Sequence, residues 1–105
     1  MRTQLNRGES RRVMYLENKD GLIDGVRARI GWVEFSRTGQ TVYYRGRTLQ
    51  KGHGISSNFF DVDTGEGYWV SGVKQRGSNA HPAEQGVSIE IDPDAAEAYR
   101  ALRAG

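Results

Sequence analysis

The chain of 105 residues has no cysteine, only two prolines, and no apolar run near the ~18 residues a membrane span needs. Without cysteine there is no disulfide staple and no thiolate metal site, so the fold must rest on an ordinary hydrophobic core. Apolar residues are scarce too, at 36%, and the mean hydropathy is −0.70. Aromatics at 10% nevertheless argue against a disordered chain, which would be aromatic-poor. Two domains would each be close to the lower size limit for an independent core, so the length points to one. Residues 1–10 show no periodicity and read as a flexible tail, leaving 11–105 as a single β-rich domain. The first residues are basic but lack the apolar stretch of a signal peptide, which points to the cytoplasm and away from a membrane partner.

What the chain does have is punctuated β-pattern. In RRVMYLEN, Val13 and Tyr15 alternate against Met14 and Leu16, and Asp20-Gly21 and Asp24-Gly25 are turn signals. ARIGWVEF and TVYYRGRTLQ read as two strands around Ser36–Gln40, with Gly39 suited to positive φ. Gly31 reads as a bulge that brings Ile30 onto the face of Val33 and Phe35. In the second strand Val42 and Tyr44 share one face, and Tyr43, Arg45 and Arg47 the other. A second hairpin turns at Asp63–Glu66, with Gly65 left-handed and Phe60, Val62, Tyr68 and Val70 placed together. Residues 75–86 form a long polar loop. In VSIEID, Val87, Ile89 and Ile91 point inward; a helix follows with Asp92 as N-cap, Pro93 at its start, and Ala95, Tyr99 and Leu102 as packing stripe. The sum is a mainly β fold: five to six short antiparallel strands in an SH3-like barrel or bent sheet, with one short C-terminal helix.

Little here reads as catalytic. His53 and His81 sit in Gly- or Pro-flanked loops with no carboxylate at ligand spacing, so no metal site and no cofactor is assigned. Ser71 lies outside any nucleophile-elbow pattern, and no phosphate-binding glycine motif is present. Asp61 and Asp63 alternate and read as a solvated strand edge. No catalytic residue is assigned, and an enzyme built on the His81 loop with Ser71 or Asp61 stays as an alternative. Net charge is +2, but residues 1–52 carry 11 basic and 5 acidic side chains and the remainder 4 and 8. That asymmetry suits either a polyanion-binding half or two halves that pair with each other. Twelve of the 15 cations are arginine, the residue of choice for recognition surfaces.

The most informative signal is three adjacent aromatic pairs: Tyr43-Tyr44, Phe59-Phe60 and Tyr68-Trp69. Consecutive strand side chains point to opposite faces, so one ring of each pair must leave the core face. The outward set is Tyr43, Phe59 and Trp69, joined by Trp32, with Arg45 and Arg47 continuing the row and Lys74 and Arg76 at its loop edge. Rings interleaved with arginine anchor protein partners and self-association, and they also stack single-stranded nucleic acid. The bland alternative is a second core in which the C-terminal helix covers these rings. The leading expectation is a non-enzymatic binding or adaptor module for a protein partner or a second copy, with single-stranded nucleic acid as the alternative ligand.

The runs RRVMYLENKDGLIDG, ARIGWVEFSRTGQTVYYRGRTLQ and FDVDTGEGYWVSGVK resemble a family of small uncharacterised bacterial proteins of about this length. Its pattern is RIGxVxFSxTGxTxYYxGRxxQ followed by FDxxTGExYWxSGxK, and the likeness runs from Val13 to Asp92. Some proteins of this kind carry the name 1-deoxy-D-xylulose-5-phosphate synthase. That enzyme binds thiamine diphosphate and needs a far longer chain, and no diphosphate-binding motif exists here. The resemblance therefore implies a group, and it transfers no activity and no catalytic residue.

Overall fold

A computed structural model describes residues 10–52, 54–74 and 88–104. Seven strands follow in chain order: β1 (Ser10–Asn18), β2 (Ala28–Phe35), β3 (Thr41–Tyr44), β4 (Arg47–Lys51), β5 (Phe59–Asp61), β6 (Gly67–Gly72) and β7 (Ile89–Ile91). A 3-10 turn (Pro93–Ala95) then leads into α1 (Ala96–Ala104). Strands β2 to β6 form an antiparallel meander, and β1 pairs with both β2 and β6, closing a six-strand SH3-like barrel. Closure removes the free edges that an open sheet of this size would present. β7 is an addition, lying parallel to β2 along Ala28–Ile30. No helix among the described residues is long and apolar enough to cross a membrane.

Side-chain alternation along β1 and β2 buries both faces of the wall. Met14, Leu16 and Val33 point into the barrel with Val42, Tyr44, Leu49, Phe59, Tyr68 and Val70. Val13, Tyr15, Ala28 and Ile30 point out, where Ala95, Ala98 and Tyr99 of the C-terminal segment cover them together with Trp32, Trp69 and Ile89. The helix thus makes a second core on the outside of the barrel. Trp69 belongs to that core, so its outward direction serves packing.

The glycine turns form as their sequence demands: Gly39 and Gly65 sit at φ 77° and 80°, and Asp24-Gly25 takes two consecutive positive φ values, 48° and 97°. That is the pattern of a type I′ turn, closed by the Ile23–Val26 bridge.

Several details depart from the sequence reading. Gly31 makes no bulge, since β1 and β2 pair without interruption from Ser10–Phe35 to Glu17–Ala28; Ile30 therefore stays on the outer face, opposite to Val33. The stretch TVYYRGRTLQ is not one strand. Arg45 and Gly46 take φ 47° and 78°, and this second I′-like turn splits it into β3 and β4. Parity does not carry across a turn, so Arg45 and Arg47 do not continue the row from Tyr43. In β5 the phase is inverted: Phe59 and Asp61 are buried, and Phe60 and Val62 exposed. β5 is only three residues long. It ends where Asp61 turns inward and its carboxylate accepts from the Asp63 amide at 2.8 Å, so Asp61 is not a solvated edge. Ile91 and Leu102 are exposed, because β7 is a short outer strand and the helix packs through Ala95, Ala98 and Tyr99. Val87, the tail ahead of Ser10 and the polar loop 75–86 lie outside the described residues.

Candidate functional site

The site grows from a fork along one edge of β2. β3 pairs with that edge at Glu34 and Phe35, whereas β7 pairs with it at Ala28–Ile30. The three residues between, Gly31, Trp32 and Val33, are claimed by neither strand. The Tyr44 ring and the Asp92 carboxylate enter the gap, and they fit because position 31 has no Cβ. A Cβ there would lie 2.9 Å from Tyr44 Cε1 and hydroxyl, and nearer still to Asp92.

Asp92 ties the fork together. Its carboxylate is buried and accepts from the Tyr44 hydroxyl at 2.5 Å and from Arg29 Nη1 at 3.1 Å, with Arg45 Nη1 at 3.4 Å. Its amide donates to the Ile30 carbonyl at 2.9 Å, and its carbonyl accepts from Ala95 at the first turn. Asp92 therefore holds the N-cap position the sequence assigned, but its side chain makes no cap bond and reaches into the barrel wall instead. Arg29 extends the network by donating to the Ile23 and Asp24 carbonyls at 2.8 and 2.7 Å. Arg45 Nε and Arg47 Nη2 grip the Asp24 carboxylate at 2.7 and 3.0 Å, locking the two I′-like turns together. Hydrogen bonds from Arg47 and then Arg45 hold the Asp24 carboxyl well below the usual carboxylate range.

Burial, and then the hydrogen bond and charge of Asp92, push the Tyr44 phenol far above its ordinary value of about 10. Burial also raises Tyr68, which faces the barrel interior. For a group raised on folding, the stability it contributes is complete below the unfolded value and is lost as pH rises past it. Unfolding free energy is thus expected to fall once pH exceeds about 10. Tyr44→Phe should flatten that decline in urea titrations at pH values either side of 10. A decline as steep as wild type would show that Tyr44 does not keep its proton through this network.

Above this framework opens a cleft of about 350 Å³, lined by Trp32, Glu34, Tyr43 and Asp94 with Arg11 and the Arg45–Arg47 turn at its rim. The cross-strand register sets Arg11 opposite Glu34 and Glu34 opposite Tyr43, on the outer face. The indole Nε1 of Trp32 donates to the Asp94 carbonyl at 3.0 Å, which fixes the ring. The Arg11 guanidinium lies 4.6 Å from its centroid.

Of the residues singled out in the sequence, the structure brings Tyr43, Arg45 and Arg47 to this cleft, the two arginines as paired turn residues. Phe59 is in the barrel core, for the reason of phase given above. Trp69 lies under the helix, and Lys74 is exposed beyond β6, its carbonyl accepting from Arg103 at 2.8 Å. Arg76, His53 and His81 fall outside the described residues. Ser71 faces outward and Asp61 inward, so the two cannot share a catalytic centre across the sheet. Among the described residues no cluster of three or more His, Asp or Glu side chains is placed to hold a metal ion. Glu34, which the sequence reading passed over, has the same parity as Trp32 in β2, and that signal was available. Comparison with protein families, curated proteins and solved structures gives no match, so the functional reading rests on this chain's own geometry.

Proposed function

We propose that the protein is a non-enzymatic, cytoplasmic binding module that takes a segment of a protein partner in the Trp32–Tyr43 cleft. The observation that carries this reading is the cleft itself: two half-buried rings on the outer wall, beside a buried network that holds the fork in one shape. Rings positioned this way offer contact area at low entropy cost, as binding anchors do. Protein is favoured over single-stranded nucleic acid by charge. A phosphate backbone needs available cations, and Arg29, Arg45 and Arg47 are already neutralised by Asp92 and Asp24.

The test is capture of partners on immobilised protein. Trp32→Ala and Tyr43→Ala are each expected to weaken capture at least ~30-fold, the loss of a central anchor. Phe60→Ala, a more exposed ring on β5 outside the cleft, should leave it unchanged. Equal loss from Phe60→Ala, or none from the cleft variants, would move the site elsewhere.

A further inference from the structure

Resting on that reading, we infer that the cleft selects an arginine side chain from a basic segment of the partner. Glu34 is half-buried between its sheet neighbours Arg11 and Tyr43, and its carboxylate has no hydrogen bond or ion pair among the described residues. The Asp94 carboxylate has none either, although the carbonyl of the same residue anchors the Trp32 indole. The cations on the opposite rim are committed elsewhere: Arg45 and Arg47 to Asp24, and Arg45 also to Asp92. What the cleft presents to an incoming group is therefore a wall carrying the Trp32 and Tyr43 rings, and two carboxylates with no ion pair among the described residues.

A guanidinium meets both. It is planar and weakly hydrated, stacks on indole, and offers a fork of donors to carboxylates. The molecule itself demonstrates the stacking half, since the Arg11 guanidinium lies over the Trp32 ring. Arg11 belongs to the β1 edge, and its charge beside the ring opposes a second cation. It acts as a tethered competitor. The cleft volume of about 350 Å³ is at the small end of ligand pockets and suits one long side chain with its flanking backbone.

The experiment titrates the full chain with short capped peptides of glycine, serine and proline that carry one central arginine, glutamine or glutamate. Binding is read from the amide and indole resonances of the labelled protein. The arginine peptide is expected to shift Trp32, Glu34, Tyr43 and Asp94 and to bind about ten-fold tighter than the glutamine peptide. The glutamate peptide should not bind. Glu34→Gln is expected to remove most of that preference, and Arg11→Ala to tighten the arginine peptide several-fold; the rest of the spectrum reports whether each variant is folded. If the glutamine peptide binds the same residues equally well, the choice of arginine is wrong while the binding module stands. If the glutamate peptide binds best, or Arg11→Ala abolishes binding, the ligand is an anion and the inference is overturned.

Discussion

Asp92→Ala is expected to cost about 3–5 kcal/mol of unfolding free energy, the usual penalty for removing one partner of a buried ion pair. The substitution leaves the Arg29 guanidinium and the Tyr44 hydroxyl in place with their shared acceptor gone. Both are buried, so neither recovers the lost bond from water. In a domain of this size each kcal/mol shifts Tm by about 4–8 °C, so a drop on the order of 15 °C or more should be plain in a thermal melt. The damage should begin at the C-terminus. β7 and the helix hang on the barrel through Asp92 and the outer core, and their amides are expected to lose protection from exchange before those of β3–β5. Asp92→Asn keeps an acceptor oxygen for Tyr44 and should cost less. An Asp92→Ala protein within about 0.5 kcal/mol of wild type would mean the network at the fork contributes nothing.

The second large effect concerns a single methyl group. Gly31→Ala adds a Cβ within 2.9 Å of the Tyr44 ring and closer to Asp92. In a strand, alanine ordinarily gains ~0.5–1 kcal/mol over glycine, so an uncrowded site would be stabilised. Here the ring and the carboxylate can move aside only by breaking the bond between them, and overpacking should win with a net loss of about 2 kcal/mol. The two substitutions share this space, so they are expected to be non-additive. Gly31→Ala should cost far less in the Asp92→Ala background, where the carboxylate is absent. Equal costs in both backgrounds would place the strain of Gly31→Ala somewhere other than the fork.

Local chemistry was legible in the sequence wherever a feature is set by its own residues. Gly39, Gly65 and Asp24-Gly25 take the left-handed conformations expected of them, and β1 alternates as read, whereas in β2 only Trp32, Val33 and Phe35 do so, because the bulge expected at Gly31 is absent. Gly46 was hidden because TVYYRGRTLQ keeps an even-odd pattern straight through it, and side-chain pattern does not report the backbone reversal at Arg45. Phe59 and Phe60 were exchanged because three residues are too few to fix a phase, and Asp61, polar and buried, gives no apolar signal. At the candidate site, Trp32 and Tyr43 were correctly placed on the outer face. The framework beneath them was not legible. Tyr44 and Arg29 lie 48 and 63 positions from Asp92, and no local rule links residues so far apart. The N-cap preference of Asp92 concealed its other use, since the same residue satisfies both.

The two tryptophans offer the most direct test of where this protein binds. Both pack against the outer core, but only Trp32 also lines the cleft, so its indole N–H resonance reports on the cleft directly and that of Trp69 serves as the reference. On adding the arginine peptide, the Trp32 indole is expected to shift progressively to saturation while the Trp69 indole stays fixed. Movement of the Trp69 indole with Trp32 unchanged would contradict the assignment of the cleft as the binding site.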